Sequence, residues 1–344
     1  MKMKSNDKGS LAFLRVCRGQ VMTMLPFLTG PLLYRFPRGR QEYQHSFIDP
    51  DRGEINIYGD RYYAQEGKQA KTLRVLVHGL SSNHRSYYLA PHVQSALKAG
   101  DDALTLALRG ALGLGTDHYH AGLTEDLHEV FNDARFSQYK EIVVIGFSLG
   151  GLVVLNFHLE CQDDRLLSTV ALCAPVNLAE VQAHLDRRAQ TIYRHIVLRS
   201  LKIPYLSLWK RSQKSKSALK ADLKRVLSAK TFEEWDKAVV ITRFDFTSTQ
   251  EYHERVSVSQ ESLSSKMVPS LVVFERADPM VPYHLLGYDE EQSSQFCTVR
   301  VSDGGGHISF SKGLDLGFEG ALGITDQINS WIHLQRQSKQ DTVI

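Results

Sequence analysis

Short apolar runs alternate with segments of helical length along most of this chain of 344 residues. The runs are rich in Val, Ile and Leu and end at Gly or Asp, which is typical of strands buried on both faces of a parallel sheet. The first run also fits an arm of an antiparallel hairpin. We predict strands at residues 54–58, 73–78, 103–108, 141–147, 168–173, 270–275 and 296–301, and helices at 86–99, 124–131, 149–161 and 326–335.

This alternation predicts an α/β protein with a mostly parallel central sheet flanked by helices. It fails between about residues 177 and 267, where helical periodicity continues without a convincing strand. We therefore predict an N-terminal segment (1–45) that packs on the core, a core built from 46–176 and 268–344, and a helical lid inserted at 177–267. Ligands of such sheets bind beyond the carboxyl ends of the strands.

Composition narrows the class of protein. Hydrophobic residues make up 42% of the chain and charged residues 23%, which excludes a disordered or low-complexity protein. A net charge of +3 is too small for the whole chain to bind nucleic acid as a polycation. Four cysteines without a CxxC pair suit a reducing compartment, so we expect a cytoplasmic protein. Neither a signal peptide nor a spanning helix is predicted at 11–34, because charges and breakers interrupt it: Arg15, Arg18, Pro26, Gly30 and Pro31.

One region departs from this balance of charge. Residues 187–230 hold 13 lysines and arginines and one acid, Asp222, so their local net charge is +12. Two interpretations stay open. The basic side chains form solvated helix faces, or they give the lid a weak, salt-sensitive attraction to anionic membrane surfaces. The sequence does not predict the oligomeric state.

A candidate nucleophile lies in the sequence G-F-S-L-G at 146–150. It follows an apolar run and precedes a helix-like segment, which is the strand–turn–helix context of the G-x-S-x-G motif. Glycines two residues before and after Ser148 leave room for a sharp, strained turn. Because the residue at the turn is a hydroxyl and not a carboxylate, an acyl-enzyme intermediate is the natural consequence.

A serine hydroxyl needs a base, and the base needs a group that fixes its tautomer. Asp278 follows a strand pattern and precedes Pro279, while His307 follows the last predicted strand on a loop with three glycines. The chain order Ser, Asp, His is that of α/β-hydrolases. The rival acids are Glu275, expected within its strand, and Asp303, which is too near the histidine to come from a separate loop.

Backbone N–H groups are the expected stabilisers of the oxyanion. We predict those of Leu80, in the turn after the second strand, and Leu149, the residue after the nucleophile. His78 is interpreted as structural. The glycine-rich stretch 110–115 lacks the dinucleotide-binding and P-loop spacings and is interpreted as a loop at the pocket mouth. No metal site and no organic cofactor are predicted.

The sequence resembles the α/β-hydrolase superfamily, and within it the YheT-like branch of esterases related to embryogenesis-associated-protein hydrolases. The resemblance implies serine carboxylesterase activity on short to medium acyl esters, with lipid esters as substrates of eukaryotic relatives. Two stretches depart from the branch: A-L-R-G at 107–110 replaces Asn-x-Arg-Gly, and D-R-R at 186–188 replaces Asp-Arg-Pro. The matching stretches are 19–26, 78–80, 109–110, 119–126, 146–151, 198–202, 278–279 and His307, of which 119–126 and 198–202 narrow it to the branch.

Two alternatives remain at this point. An acyltransferase or a thioesterase would use the same triad with a different acceptor or leaving group. A hydrolase fold can also serve as a ligand-binding module without turnover. The acyl chain and the alcohol of the substrate are not predicted.

Overall fold

The computed structural model describes residues 5–65, 67–213, 219 and 221–341, with side chains from residue 14 to residue 339. Eight strands form one sheet in the order β1-β2-β4-β3-β5-β6-β7-β8. The strands are β1 (Gln41–Asp49), β2 (Gly53–Tyr62), β3 (Thr72–Val77), β4 (Asp102–Ala107), β5 (Glu141–Phe147), β6 (Leu166–Leu172), β7 (Ser270–Glu275) and β8 (Cys297–Ser302).

Helices cover both faces of this sheet and fill the connection between β6 and β7. They are α1 (Ser5–Leu33), α2 (Ala90–Lys98), α3 (Glu125–Asn132), α4 (Leu149–Glu160), α5 (Leu178–Leu185), α6 (Thr191–Ser212), α7 (Leu223–Ser228), α8 (Phe232–Ala238), α9 (Val240–Arg243), α10 (Thr249–Val256), α11 (Gln260–Ser264) and α12 (Ile324–Asp341). Short 3₁₀ turns occur at Tyr87–Leu89, Ala134–Phe136, Arg188–Gln190, Tyr283–Leu285 and Glu290–Gln292.

The predicted mostly parallel sheet is confirmed. Strands β3 to β8 pair in parallel, while β2 pairs antiparallel with both β1 and β4. The first predicted strand is therefore a hairpin arm, as expected. Its partner β1 was not predicted, because it is an edge strand whose side chains are mostly exposed and whose sequence, QEYQHSFID, is largely polar. The boundary proposed between residues 45 and 46 falls inside β1.

The core consists of two apolar layers, one on each face of the sheet. Residues in the middle of a strand alternate between them: Val75 and Val77 lie in one layer and Leu76 in the other. The four central parallel strands β3 to β6 are buried along their whole length. Because both faces are covered, these strands are almost continuously apolar, and that property made them visible in the sequence.

The helices α5–α11 form a helical insertion between β6 and β7. It has an apolar cluster of its own, in which Tyr205, Leu208 and Trp235 are almost fully buried. Part of the basic block lies here. Lys210 and Arg211 are exposed at the end of α6, whereas Lys214 and Lys216 lie outside the described residues.

The N-terminal helix α1 runs without interruption through Pro26 and Pro31. It packs closely on the core at two glycines. A Cβ on Gly19 would lie 1.9 Å from the carbonyl oxygen of Ala277, and one on Gly30 would lie 2.2 Å from the ring of Tyr87. Among the described residues no helix combines the length and the apolar character that crossing a membrane requires.

Candidate active site

Ser148 occupies a strained turn between β5 and α4. Its backbone has φ 51° and ψ −124°, a conformation that L-residues rarely adopt. The flanking glycines make this turn sterically feasible. A Cβ on Gly146 would lie 2.3 Å from the carbonyl oxygen of Gly150, and one on Gly150 would lie 2.2 Å from that of His78. The turn therefore holds the serine side chain out from the end of the sheet.

His307 and Asp278 lie next to Ser148 at the carboxyl edge of the sheet, where the parallel strands end. The Nε2 atom of His307 lies 2.9 Å from Ser148 Oγ, and its Nδ1 atom lies 2.7 Å from Asp278 Oδ2. The other carboxylate oxygen of Asp278 accepts hydrogen bonds from the N–H groups of Met280 (2.8 Å) and Val281 (2.9 Å). The carboxylate is thus fixed on both sides, and it holds the imidazole with Nε2 toward the serine. The three predicted residues are brought together in the predicted order.

Backbone strain is concentrated around these side chains. Of the five non-glycine residues with positive φ in the described chain, four follow strand ends at this edge: Ser81, Ser148, Cys173 and Ile308. Such conformations cost about 1–3 kcal/mol each and persist where the surrounding structure enforces them, often at functional sites. Their clustering marks this edge as the place where the fold stores strain.

Two tyrosines hold the turn that carries Leu80. The hydroxyl of Tyr88 accepts a hydrogen bond from Gly79 N–H (2.9 Å), and that of Tyr119 accepts one from Ser81 N–H (3.1 Å). The N–H of Leu80, between them, has no hydrogen-bond partner among the described residues. The same holds for Leu149 N–H, at the N-terminus of α4.

The turn also lies close to the serine. A Cβ on Gly79 would lie 3.1 Å from the Cβ atom of Ser148. The unpaired N–H groups of Leu80 and Leu149 thus belong to the two turns that meet at Ser148, and the positive end of the α4 dipole adds to the field there. This arrangement suits an oxygen that gains negative charge.

A cavity of about 450 Å³ opens at Ser148 and His307. Its walls come from three parts of the chain: α1, the strand ends and the helical insertion. Most of the exposed lining surface is apolar, and the polar side chains along it include Asn83, His118, Gln182, Ser200 and Asp236. Burial raises the pKa of the Asp236 carboxyl. The apolar lining comes mainly from Met24, Phe27, Val181, Leu185, Val197, Phe232, Trp235 and Val240.

The two rival acids do not reach the histidine. Asp303 forms an exposed ion pair with Arg15 (2.8 Å). Glu275 is buried, but its carboxylate accepts hydrogen bonds from Ser302 Oγ (2.6 Å), Ala277 N–H (3.1 Å) and Gly304 N–H (3.1 Å). It therefore ties the Asp278 turn to the loop that carries His307.

Thr23 of α1 also supports that loop, and sequence analysis did not single it out. Its hydroxyl accepts a hydrogen bond from His307 N–H (2.8 Å) and donates one to the carbonyl oxygen of Gly19 (2.8 Å). A threonine inside a helix gives no sequence signal for such a contact.

His78 has the structural role expected of it. Leu108 N–H donates to its Nε2 atom (3.2 Å), so the proton is on Nδ1, which lies 2.7 Å from the carbonyl oxygen of Gly79. Burial lowers the pKa of His78 to about 4, and the side chain is neutral at neutral pH. It joins the ends of β3 and β4 beneath the Leu80 turn.

Among the described residues one group of side chains could hold a metal ion. The ligand atoms of Cys173, Asp278 and His307 lie within 4.8 Å of one another. Two of these residues already bond to each other, and His307 also contacts Ser148. Burial and the carboxylate of Asp278 raise the pKa of the Cys173 thiol well above its usual range, so it is a poor thiolate ligand. The donor set suits a hydrogen-bonded chain better than a metal site.

The glycine-rich stretch 110–115 is not at the cavity, contrary to the interpretation given above. A Cβ on Gly110 would lie 2.3 Å from the carbonyl oxygen of Asp117, and one on Gly113 would lie 3.1 Å from that of Pro204 in α6. Next to this stretch, buried Arg109 pairs with Asp126 (2.7 Å). The segment therefore packs the core against the insertion.

Comparison with known proteins agrees with this geometry. A profile described as the Alpha/beta hydrolase family matches residues 75–313, which is more than half of the chain. The chain belongs to the alpha/beta hydrolase family. The predicted α/β-hydrolase fold is thereby confirmed, and the matched range contains Ser148, Asp278 and His307.

Similar members of the alpha/beta hydrolase family include three proteins from animals. Abhydrolase domain-containing protein 2 of Drosophila melanogaster is 26% identical over 318 residues, 86% of this chain and 76% of its own length. Phospholipase ABHD3 of Mus musculus is 22% identical over 310 residues, which cover 86% of this chain and 71% of the phospholipase. Monoacylglycerol lipase ABHD2 of Bos taurus is 24% identical over 255 residues, which cover 70% of this chain and 60% of the lipase.

A solved structure of a Pyrococcus furiosus esterase is also similar. It is 16% identical, the match covers 80% of this chain and 90% of the esterase, and the TM-score is 0.47.

Proposed function

We propose that this chain is a serine-dependent carboxylic ester hydrolase. The observation that carries the proposal is the hydrogen-bonded chain from Ser148 Oγ through His307 to Asp278, with separations of 2.9 and 2.7 Å, at the base of an apolar cavity. A base within hydrogen-bond reach and an acid that orients it are what a serine nucleophile requires.

The proposed reaction has two halves. His307 Nε2 takes the hydroxyl proton as Ser148 Oγ attacks the ester carbonyl, and the N–H groups of Leu80 and Leu149 stabilise the oxyanion. The imidazolium then gives its proton to the leaving alcohol, which leaves an acyl group on the serine. In the second half, His307 takes a proton from water, the hydroxide attacks the acyl carbonyl, and the returned proton regenerates the serine.

The cavity favours a lipid-like acyl ester. Its volume of about 450 Å³ and mostly apolar walls suit a short to medium acyl chain. Two relatives carry the names phospholipase and monoacylglycerol lipase, which supports the same substrate class. We also propose that the chain falls in the YheT-like branch, on the stretches at 119–126 and 198–202.

Labelling with a fluorophosphonate tests the mechanism directly. The reagent should modify Ser148 rapidly, and Ser148→Ala should abolish labelling. A panel of p-nitrophenyl esters of graded chain length then identifies the preferred acyl group. Labelling that persists in Ser148→Ala, or no turnover across the panel, contradicts the proposal. A thioester series and an added acceptor alcohol in the same assay separate hydrolysis of esters from the thioesterase and acyltransferase alternatives.

We further propose that the helical insertion acts as a lid and that its basic block attracts it weakly to anionic surfaces. Both the insertion and Ser148 line the cavity, which supports a lid that excludes water from the reaction. Lys210→Gln with Arg211→Gln should reduce co-sedimentation with anionic vesicles, and added salt should reduce it in the parent chain. Equal binding to neutral and anionic vesicles would contradict this attraction and favour the interpretation that the basic side chains form solvated helix faces.

A further inference from the structure

The outward face of α1 carries a row of exposed aliphatic side chains, here called the α1 stripe. Its members are 52% to 78% exposed. At about 100° per residue they fall within an arc of about 60° on the helix surface. They are Leu14, Val21, Leu25, Leu28 and Leu32.

The stripe lies opposite the face of α1 that packs on the core. Gly19, Thr23 and Gly30 form that inner face, where they contact Ala277, the His307 loop and Tyr87. By the same angular count they lie about 180° from the stripe. The helix therefore presents its row of aliphatic side chains on the side turned away from the protein.

Exposed apolar surface is concentrated at this helix. Of sixteen large hydrophobic side chains that are exposed in the described chain, nine lie between Leu14 and Tyr34. Single exposed aliphatic residues need no explanation, whereas a contiguous exposed patch marks a binding surface.

The charge of the segment indicates what the patch binds. Residues 1–40 contain eight lysines and arginines and one acid, Asp7, so their net charge is +7. Arg35 and Arg38 follow the helix directly and are exposed, whereas Arg40 lies near the carboxylates of Glu42 (4.0 Å) and Asp60 (3.8 Å). An apolar stripe with basic flanks is the pattern of helices that lie in the interface of an anionic membrane. A second copy of this chain fits less well, because pairing the stripes would bring two such positive segments together.

The helix also forms part of the cavity wall. Thr23, Met24, Phe27 and Pro31 line the cavity that contains Ser148, and Phe27 is still 51% exposed. Exposed Pro31 lies about 60° from Leu28 on the helix surface, so the stripe adjoins the rim of the candidate active site along this side of the helix.

We propose that the α1 stripe docks on the surface of an anionic lipid bilayer and presents the cavity to lipid esters held there. The delivery of substrate rests on the proposed esterase function, whereas the docking itself does not. The +12 block of the insertion is a separate basic surface, and the test below leaves it unchanged.

Vesicle co-sedimentation of the full chain tests the docking. The variant Leu25→Gln/Leu28→Gln/Leu32→Gln removes the last three of the five stripe residues without changing a cavity-lining residue. Its matched control is Ile48→Gln/Leu322→Gln/Leu334→Gln, which changes exposed side chains outside α1. With phosphatidylcholine vesicles containing phosphatidylglycerol, the parent and the control should bind alike. The affinity of the stripe variant should be lower by a factor of about ten or more. Arg35→Gln/Arg38→Gln should weaken binding at low salt only.

Two further measurements separate the outcomes. Turnover of a soluble p-nitrophenyl ester should be the same in all three chains, while turnover of a vesicle-embedded ester should fall in the stripe variant alone. Equal vesicle binding by the parent and the stripe variant overturns the proposal. The proposal is also overturned if the parent chain does not bind vesicles but is a dimer by light scattering, while the stripe variant is a monomer. Normal vesicle binding without any ester turnover leaves the docking intact and refutes the esterase function instead.

Discussion

The hydroxyl of Thr23 accepts a hydrogen bond of 2.8 Å from the backbone N–H of His307, which lies 284 residues further along the chain. The N-terminal helix thereby supports the loop that holds the proposed general base. A second contact strengthens this link, because Arg15 of the same helix pairs with Asp303 at the start of that loop. The position of the imidazole thus depends on α1 as well as on the core.

Replacement of Thr23 by valine should lower kcat more than it raises KM. Valine keeps the shape but leaves the His307 N–H without its acceptor, so the loop relaxes and the imidazole moves from Ser148. We expect a loss of about tenfold or more in kcat and about 1–3 kcal/mol in the free energy of unfolding. Thr23→Ser, which restores the oxygen, should recover most of the activity. A variant that melts earlier but retains the parental kcat would show that Thr23 is merely structural.

The proposed triad should behave as a unit in mutagenesis. Ser148→Ala, Asp278→Asn and His307→Ala should each reduce ester turnover by about 10³–10⁶, and the double Ser148→Ala/His307→Ala should cost little more than the worse single change. Asp303→Asn is the control, since its carboxylate pairs with Arg15 at the surface. More than about a tenth of parental turnover in Ser148→Ala, or a crippled Asp303→Asn beside a mild Asp278→Asn, contradicts the assignment.

The tyrosines that hold the Leu80 turn should matter for the rate. Tyr88→Phe and Tyr119→Phe each remove the acceptor of a backbone N–H in this turn, and the turn then presents the Leu80 donor less accurately. Because one oxyanion donor contributes about 10²–10³ in rate, we expect each change to lower kcat by about tenfold. Tyr87→Phe is the matched control, because its ring stacks on Tyr34 and does not hold the turn. Parental kcat in both variants would remove this turn from the mechanism.

Stability should fall as the pH drops below about 6.5. Burial lowers the pKa of His78 to about 4, that of His118 to about 4 and that of His120 to about 3. Between these values and about 6.5 the unfolded chain binds protons that the folded chain does not, so the free energy of unfolding decreases with falling pH. Each histidine contributes up to about 1.4 kcal/mol per pH unit in that window. Urea unfolding at several pH values from 7.5 to 5 checks this, and a flat profile would contradict it.

The sequence was informative wherever a local pattern carried the answer. Ser148 and Asp278 follow strands that are buried along their whole length, so an apolar run and its final turn located both. His307 follows β8, a partly buried edge strand, and it was located by the three-glycine loop after the last predicted strand. Edge strand β1 lacks such an apolar run, because its sequence is largely polar and most of its side chains are exposed.

The residues that hold the turns around Ser148 were not predicted, for a different reason. Thr23, Tyr88 and Tyr119 act through hydrogen bonds to backbone groups of other segments. A threonine or tyrosine with such a partner looks the same in the sequence as one without. The interpretation of 110–115 was wrong on similar grounds, since the close approach of Gly113 to α6 is set by the fold of the insertion.

The place of His307 after β8 has a consequence for how the protein becomes active. Strand β8 is the last in the sequence and lies at the edge of the sheet, so the base reaches Ser148 across 159 residues. Contacts that close such long loops form late in folding. The turn around Ser148, by contrast, is built from neighbouring residues. During refolding from denaturant we therefore expect the helical circular dichroism signal to recover before ester turnover. The chain would then pass through a compact state that has no ester hydrolase activity. Simultaneous recovery of the two signals would exclude such a state.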